Sequence, residues 1–287
     1  MALVSIVIPV FQAEAFVARA VRSALAQTNA DIEVVVSIDD RKPYEAILAK
    51  QGIADSRLRL ASTGRIGAGP GAARNAGIKA AAAPIIAMLD ADDEFFPDHI
   101  EKLLPKVRQY GCAITQIELL DDSTKAPLPN RAKPFISGPL PLGDALQACL
   151  HTHIPIMFDR NKCAHRFNED VPLLEDGLFL AECFTKLNSV WYQAEHSYRY
   201  YRREGSLCNQ TGAALRFLET GKNILRLIAN KKILTANTEA AGIFAAFIKR
   251  NNALESAYLK AVASSAVKDY QEFLEKNLAF VHAPLEV

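Results

Sequence analysis

The feature that most constrains the fold is an alternation of short apolar runs with amphipathic segments in the first third of the chain. Val4 to Val10 and Ile32 to Ile38 are rich in β-branched residues and almost wholly apolar, which is typical of parallel strands covered on both faces. A segment of helical periodicity follows each run, and strand and helix alternate four times. This order predicts an α/β fold with a doubly wound, mostly parallel sheet and helices on both faces.

A cluster of carboxylates follows the fourth of these strands. Ile85 to Leu89 is predicted to be a buried strand, and Asp90-Ala91-Asp92-Asp93 begins where it stops. Ligands of open α/β sheets bind at the carboxyl ends of the strands, and aspartates at positions i and i+2 can converge on one divalent cation. The alternative is a solvated turn with a helix cap ahead of Pro97.

Composition narrows the class of protein. The 287 residues include 33 basic and 32 acidic side chains, a net charge of +1, and this balance predicts no nucleic-acid partner. Five cysteines without a Cys-Xaa-Xaa-Cys pair are typical of reduced thiols in a cytoplasmic protein. The apolar N-terminus is predicted to be a strand and not a signal peptide. No run approaches the roughly 20 apolar residues of a membrane span, so we expect peripheral membrane contact at most, at the inner face.

Two further segments are candidates for ligand contact. Gly64 to Gly71 holds four glycines in eight residues and leads into an alanine-rich helix, so its backbone can approach an anionic ligand closely. A tightly packed turn is the alternative. Asn168 to Gly177 places a second acidic group, Glu175-Asp176, at the start of a helix. Acidic residues in a first helical turn also favour the helix dipole without any functional role.

The middle of the chain changes character. Residues 121–141 hold five prolines with basic residues between them, and a long irregular connection of this kind predicts acceptor binding, with a plain surface loop as the alternative. His151 and His153 lack an evident third ligand, so no metal site is predicted there. Trp191 to Ala194 and Tyr198 to Arg203 are predicted to be paired strands.

The C-terminal part is predicted to be helical. We expect a domain over residues 1–210, ending in a polar hinge-like loop at 204–210, and a helical extension over 211–287. Apolar stripes at helical spacing indicate core or subunit contact, so a homodimer through these helices is one expectation. A lipid-facing role for the basic residues is another. The first predicted stripe consists of Leu215, Leu218, Leu225 and Ile228.

Five sequence motifs occur together in the chain: Val4 to Phe11 with Glu14, the strand ending at Asp39, Ala72-Ala73-Arg74-Asn75-Ala76-Gly77, Leu89-Asp90-Ala91-Asp92-Asp93, and Leu174-Glu175-Asp176. In this order they make residues 4–205 resemble the family-2 glycosyltransferases, which have the GT-A fold. The chain differs from the family in having Asp39-Asp40-Arg41 where Asp-Gly-Ser is common, and in lacking the Gln-Xaa-Xaa-Arg-Trp motif of the processive members.

The resemblance implies roles for matching positions. Asp39 is expected to accept a hydrogen bond from the donor base, usually uracil, and Asp92 with Asp90 to hold Mn²⁺ or Mg²⁺ at the donor diphosphate. Asp176 is the expected general base, with Glu175 as its neighbour or substitute. The predicted donor-binding residues are Pro9, Val10, Phe11, Glu14, Asp39, Arg65, Arg74, Asp90 and Ala91.

The function implied is transfer of a sugar, with inversion, from a nucleoside-diphosphate donor to a hydroxyl acceptor. The donor is expected to be a UDP-sugar and the acceptor a saccharide or a lipid-linked saccharide of bacterial cell-surface or exo-polysaccharide synthesis. The alternatives are a nucleotidyltransferase, a phosphatase with an Asp-Xaa-Asp nucleophile, and a non-catalytic protein that binds nucleotide sugars. Fold alone does not decide between these functions.

Overall fold

A computed structural model of the protein describes residues 2–29, 31–149, 154–163, 166–203, 212–267 and 269–285. The strands are β1 (Val4–Val10), β2 (Ile32–Ile38), β3 (Leu58–Ser62), β4 (Ile85–Met88), β5 (Glu94–Phe95), β6 (Cys112–Asp121), β7 (Gly138–Leu140), β8 (Ile156–Asp159) and β9 (Val190–Arg202). The helices are α1 (Val17–Leu25), α2 (Tyr44–Lys50), α3 (Pro70–Ala80), α4 (His99–Tyr110), α5 (Leu142–Ala148), α6 (Glu175–Cys183), α7 (Ala213–Ala229), α8 (Thr238–Ala263), α9 (Tyr270–Lys276) and α10 (Leu278–Val281).

Within the described ranges, nine strands form one sheet in the order β3-β2-β1-β4-β8-β6-β9-β5, with β7 paired to β9. Strands β1, β2, β3 and β4 run parallel to one another, whereas β8 runs antiparallel to both β4 and β6. The predicted parallel α/β sheet is therefore found in the first half of the chain, and the second half adds mixed pairings. The carboxyl ends of β1, β2 and β4 lie side by side, as in a doubly wound sheet.

Both faces of the sheet are covered, because successive side chains of a strand point to opposite faces. Ile6 and Ile8 of β1 pack into a core with α1, α2 and α4. Val7 belongs to the second core, which contains residues of α3, α5 and α6. Helices α7 and α8 contribute to the same second core, and α8 packs on α5 and α6.

Two glycines lie where a helix backbone packs directly against a neighbouring element. A Cβ on Gly77 of α3 would lie 2.4 Å from Cγ1 of Val7, so α3 sits directly on β1. A Cβ on Gly221 of α7 would lie 2.2 Å from Oδ1 of Asn252 of α8, so this helix pair also packs closely. Glycine at these positions lets the backbones approach within a distance that a side chain forbids.

One sequence prediction for the second half of the chain is wrong. The segments predicted to be paired strands, before and after residue 196, form one continuous strand, β9, and both pair in parallel with β6 across an irregularity between Thr115 and Ile117. In α7 the predicted stripe is confirmed except for Leu215, which is 54% exposed. Leu218 is buried, and Leu225 and Ile228 pack against the core. The buried residues are Ala214, Leu218, Thr220, Gly221 and Ile224. Of the helices in the described ranges, none is long and apolar enough to cross a membrane.

Candidate active site

The acidic turn after β4 is held to the sheet by its last carboxylate. Asp93 is buried, and its carboxylate accepts hydrogen bonds from the Tyr198 hydroxyl (2.7 Å) and the Tyr201 backbone N–H (2.9 Å). Burial raises the pKa of Asp93 well above its usual range, with the charges of Asp92 and Asp90 adding to the effect. This residue therefore fixes the turn to β9, and it leaves Asp90 and Asp92 as the partly exposed members of the cluster.

Arg74 of α3 joins this turn to the second acidic group. Its Nη2 atom lies 3.0 Å from Oδ1 of Asp90, and its Nη1 atom lies 2.5 Å from Oε1 of Glu175. The Arg74 guanidinium also lies over the ring of Phe167, 5.3 Å from the ring centre. Arg74 is 5% exposed and Glu175 is 7% exposed. A buried cation of this kind is stable only when carboxylates surround it, so the two acidic motifs belong to one cluster.

Glu175 and Asp176 occupy the first turn of α6. The residue before them, Leu174, has a φ of 62° and a ψ of 16°, a left-handed conformation that is strained for a branched side chain. Burial, with the nearby charge of Asp176 adding to it, raises the pKa of Glu175 to about 7, although Arg74 acts in the opposite direction. The Asp176 carboxylate accepts hydrogen bonds from the backbone N–H groups of Ile154 (3.1 Å) and Gly177 (2.7 Å).

Two arginines far away in the sequence approach Asp92. The Arg203 Nη2 atom lies 3.3 Å from the Asp92 carboxylate, and its guanidinium lies over the ring of Phe16. Arg19 donates a hydrogen bond to the backbone carbonyl of Asp92 and forms an ion pair with Asp122. Burial and the Asp90 charge raise the pKa of Asp92. Sequence reasoning missed both arginines; the only available signal was the position of Arg203 directly after a strand.

Asp39 holds the glycine-rich loop. Its carboxylate accepts hydrogen bonds from the Thr63 hydroxyl (2.7 Å) and from the backbone N–H groups of Ala68 (3.1 Å) and Gly69 (3.0 Å). A Cβ on Gly67 would lie 3.7 Å from the Phe11 ring, which is 48% exposed. The structure thus brings Asp39, Phe11 and the loop together, and the Asp39 carboxylate organises the loop.

The remaining predicted donor-binding residues are spread around this edge of the sheet. Val10 and Ala91 are buried, and the Val10 carbonyl accepts a hydrogen bond from the backbone N–H of Asp39 (3.0 Å). Glu14 forms an ion pair with Lys42. Arg65 is exposed and lies 3.6 Å from Glu169. Pro9 is half-buried at the end of β1.

The proline-rich segment 121–141, which was predicted to bind the acceptor, has basic side chains in ion pairs. Lys125 pairs with Asp122 (2.7 Å) and Arg131 with Glu275 (3.1 Å), so these two side chains already have acidic partners. His151, His153 and the predicted hinge at 204–210 lie outside the described residues. Among the residues that are described, no group of three His, Cys, Asp or Glu side chains is arranged to hold a metal ion.

Known proteins resemble this chain in both sequence and fold. Over 222 residues it is 29% identical to the succinoglycan biosynthesis protein ExoO of Rhizobium meliloti, covering 71% of this chain and 62% of ExoO. It is 39% identical over 104 residues to ExoW, another succinoglycan biosynthesis protein of that organism, covering 35% of this chain and 32% of ExoW. The chain thus spans less than two thirds of the length of these relatives.

Among solved structures, residues 1–349 of S. aureus TarS match with a TM-score of 0.61 at 16% identity, covering 93% of this chain and 75% of that one. The same part of TarS has been solved with UDP and with UDP-GlcNAc. At this level of identity the similarity concerns the fold, and it confirms the predicted GT-A fold of the glycosyltransferases.

A model of the family described as glycosyl transferase family 2 matches residues 5–167, which is more than half of the chain. This protein therefore belongs to glycosyl transferase family 2. The family confirms the resemblance noted in the sequence and favours a glycosyltransferase over the nucleotidyltransferase and phosphatase alternatives.

Proposed function

We propose that this protein transfers a glycosyl group from a nucleoside-diphosphate sugar to a hydroxyl group of a saccharide, in a single displacement that inverts the anomeric carbon. The observation that carries the proposal is the double ion pair of Arg74 with Asp90 and Glu175. This arginine holds the strand-end carboxylates and the Glu-Asp motif at one site. Such a site has acidic groups for both halves of the reaction, leaving-group stabilisation and proton removal.

Asp176 is the proposed general base. An inverting transfer needs one group that removes the proton of the attacking hydroxyl, whereas a retaining transfer through a covalent intermediate needs a nucleophile as well. Two backbone N–H groups orient the Asp176 carboxylate. Glu175 is buried against Arg74, so its proposed role is to position Arg74 and the first turn of α6.

The residues present fit a divalent cation. Asp90 and Asp92 supply hard oxygen ligands. Burial, and after it the Asp90 charge, raises the pKa of Asp92, and a cation would stabilise the ionised carboxylates against both effects. Beyond these two carboxylates, the remaining ligands would come from the donor diphosphate and water. Mn²⁺ or Mg²⁺ bound there would supply charge stabilisation for the leaving diphosphate. Arg203, beside Asp92, adds a positive charge at the same place.

The donor is proposed to be a UDP-sugar. TarS, which shares the fold, has been solved with UDP and UDP-GlcNAc. The exposed Phe11 ring and the loop held by Asp39 form a surface on which a nucleoside base can stack and form hydrogen bonds with the backbone. In this proposal the base is bound by this surface as a whole, because the Asp39 oxygen atoms already accept hydrogen bonds from the loop.

The acceptor is proposed to be a saccharide, free or lipid-linked, in the synthesis of a bacterial polysaccharide. The names of ExoO and ExoW as succinoglycan biosynthesis proteins support this class. We also propose that residues 1–210 form the catalytic domain and that residues 211–287 form a helical extension.

The test is a donor-turnover assay on the full chain. UDP release would be measured from UDP-glucose, UDP-galactose and UDP-GlcNAc with Mn²⁺, with EDTA, and with EDTA followed by excess Mn²⁺. We expect turnover that EDTA abolishes and Mn²⁺ restores. Thermal shifts with UDP, GDP and TDP would identify the base, because selective binding to the native state raises its apparent stability. Full turnover in EDTA would exclude a role for a divalent cation. The absence of both turnover and nucleotide binding would refute the proposed function.

A further inference from the structure

We propose that a small cavity between α7 and the segment just before Glu175 binds one sugar ring of the acceptor saccharide. The cavity has a volume of about 250 Å³ and is lined by Pro172, Leu173, Arg216, Glu219 and Thr220. The inference rests on the proposed function, since it assigns the acceptor of the same reaction. It adds the part of the chain that contacts the acceptor and the kind of group that is bound.

The cavity adjoins the proposed general base through a very short piece of chain. Leu173 lines the cavity and precedes Asp176 by three residues, so their Cα atoms are at most about 11 Å apart. Leu174, between them, is the residue with the left-handed backbone. Strained backbone of this kind persists where the surrounding structure demands it, commonly at ligand sites. A sugar ring bound against Leu173 therefore lies close to the first turn of α6, which carries the proposed base.

The chemistry of the lining suits a carbohydrate. Arg216, Glu219 and Thr220 are spaced i, i+3 and i+4 along α7, so they share one face of the helix. A guanidinium donates hydrogen bonds, a carboxylate accepts them and a hydroxyl does both, which matches the mixed donors and acceptors of sugar hydroxyl groups. The opposite wall, Pro172 and Leu173, is apolar and offers contact to the C–H face of a ring.

The size and the charge of the cavity limit the class of ligand that it can bind. Sites for drug-sized molecules commonly span about 300–1,000 Å³, so a cavity of about 250 Å³ is suited to a single ring of an extended saccharide. The lining carries one positive and one negative side chain, Arg216 and Glu219, so its charges balance, as suits a neutral sugar ring. The family match ends at residue 167, before both walls of the cavity. The cavity is thus built from the part of the chain that lies outside the shared family region.

The test uses the full chain with UDP and Mn²⁺ and a panel of methyl α- and β-glycosides of glucose, galactose and N-acetylglucosamine. Saturation-transfer NMR would follow UDP and each glycoside in the same tube. We expect at least one glycoside to bind, and Glu219→Ala to weaken it about tenfold, the effect of losing a hydrogen bond to a charged group. Glu239→Ala, an exposed acidic position on α8, is the matched control and should not change glycoside binding.

Thr220→Val is the second variant, because it removes the hydroxyl while conserving the shape of a buried side chain. It should also weaken the glycoside, and circular dichroism would verify its folding. Binding of UDP without any glycoside, or equal glycoside binding by wild type and both variants, would overturn the acceptor site alone. Failure to bind UDP as well would overturn the proposed function together with it.

Discussion

The Nη1 atom of Arg74 lies 2.5 Å from the Oε1 atom of Glu175, although 101 positions of the chain separate the two residues. The same guanidinium contacts Asp90. The strand-end carboxylates and the Glu-Asp motif are therefore connected through one buried cation, and a change at any of these residues should affect the whole cluster.

The first prediction concerns the proposed base. Asp176→Asn removes the proton acceptor while keeping the size of the side chain and one of its two backbone hydrogen bonds, because Ile154 and Gly177 donate to different carboxylate oxygens and the amide keeps one oxygen. General-base catalysis is typically worth about 10²–10⁴-fold, so we expect kcat to fall by at least about a hundredfold and the Kd for UDP to stay within about twofold. Asp170→Asn, at an exposed acidic position nearby, is the control. Turnover of Asp176→Asn at the wild-type rate would contradict the role.

The second prediction concerns the buried ion pair. Arg74→Met leaves Asp90 and Glu175 without their shared cation, and breaking a buried pair in this way commonly costs about 3–5 kcal/mol of unfolding free energy. The pair of Arg65 with Glu169 is largely exposed, so Arg65→Met should cost about 0–1 kcal/mol. Urea denaturation measures both values. Equal losses in the two variants would show that the Arg74 cluster is not a buried unit.

The third prediction is a pH dependence of stability. Burial raises the pKa of Glu175 from 4.5 to about 7, so between these values the native state binds a proton that the unfolded chain has released. The contribution of Glu175 is therefore fully present below about pH 4.5 and is lost as the pH rises through about 7. Because one proton is involved, the free energy of unfolding can fall by at most about 1.4 kcal/mol per pH unit in this range.

The variant Glu175→Gln tests this effect by removing the titration. We expect urea denaturation of the variant at pH 5 and at pH 7 to show a smaller loss of stability than the wild type shows. Burial also raises the pKa of Glu255 on α8 to about 7, and its partner is the Tyr270 hydroxyl. Glu255→Gln therefore provides a comparison for a buried acid without Arg74. An identical pH dependence in wild type and Glu175→Gln would contradict the shift.

The fourth prediction concerns the packing of α3 on the sheet. A Cβ at position 77 would lie 2.4 Å from Val7 Cγ1 and 3.3 Å from Ser37 Cβ, so Gly77→Ala should destabilise the protein by about 1–3 kcal/mol through overpacking. Adding Val7→Ala should recover part of the loss. Gly138→Ala is the control, because nothing lies within 4 Å of the place that its new methyl group would occupy. A wild-type Tm for Gly77→Ala would show that α3 can shift without cost.

Much of the first half of the fold is predictable from sequence. The strands Val4–Val10 and Ile32–Ile38 occur at the predicted residues. A strand covered on both faces is a continuous apolar run, and such a run has clear ends. The second half of the fold was less predictable from the sequence. The two aromatic segments around residue 196 were predicted to pair with each other, and both instead pair with β6, since pairing partners depend on distant strands and not on local periodicity.

The same contrast holds for the site. The positions of Asp90 and Asp92 after a buried strand are evident in the sequence, and so is Glu175-Asp176 at a helix start. The approach of Arg203 to Asp92 could not be predicted, because a lone arginine after a strand carries no local pattern. Equally, the use of the Asp39 oxygen atoms to hold residues 63–69 depends on the conformation of a glycine-rich loop.

The sequence by itself determined the buried strands, the order of the motifs and the family, because these follow from local periodicity and from residue types at fixed spacing. Only the tertiary structure decided which charges share a cluster. Arg74 contacts Glu175, and α7 faces the segment before it, because helices from distant parts of the chain pack against one sheet. The partners of a buried charge are set by that packing, and no local pattern encodes it.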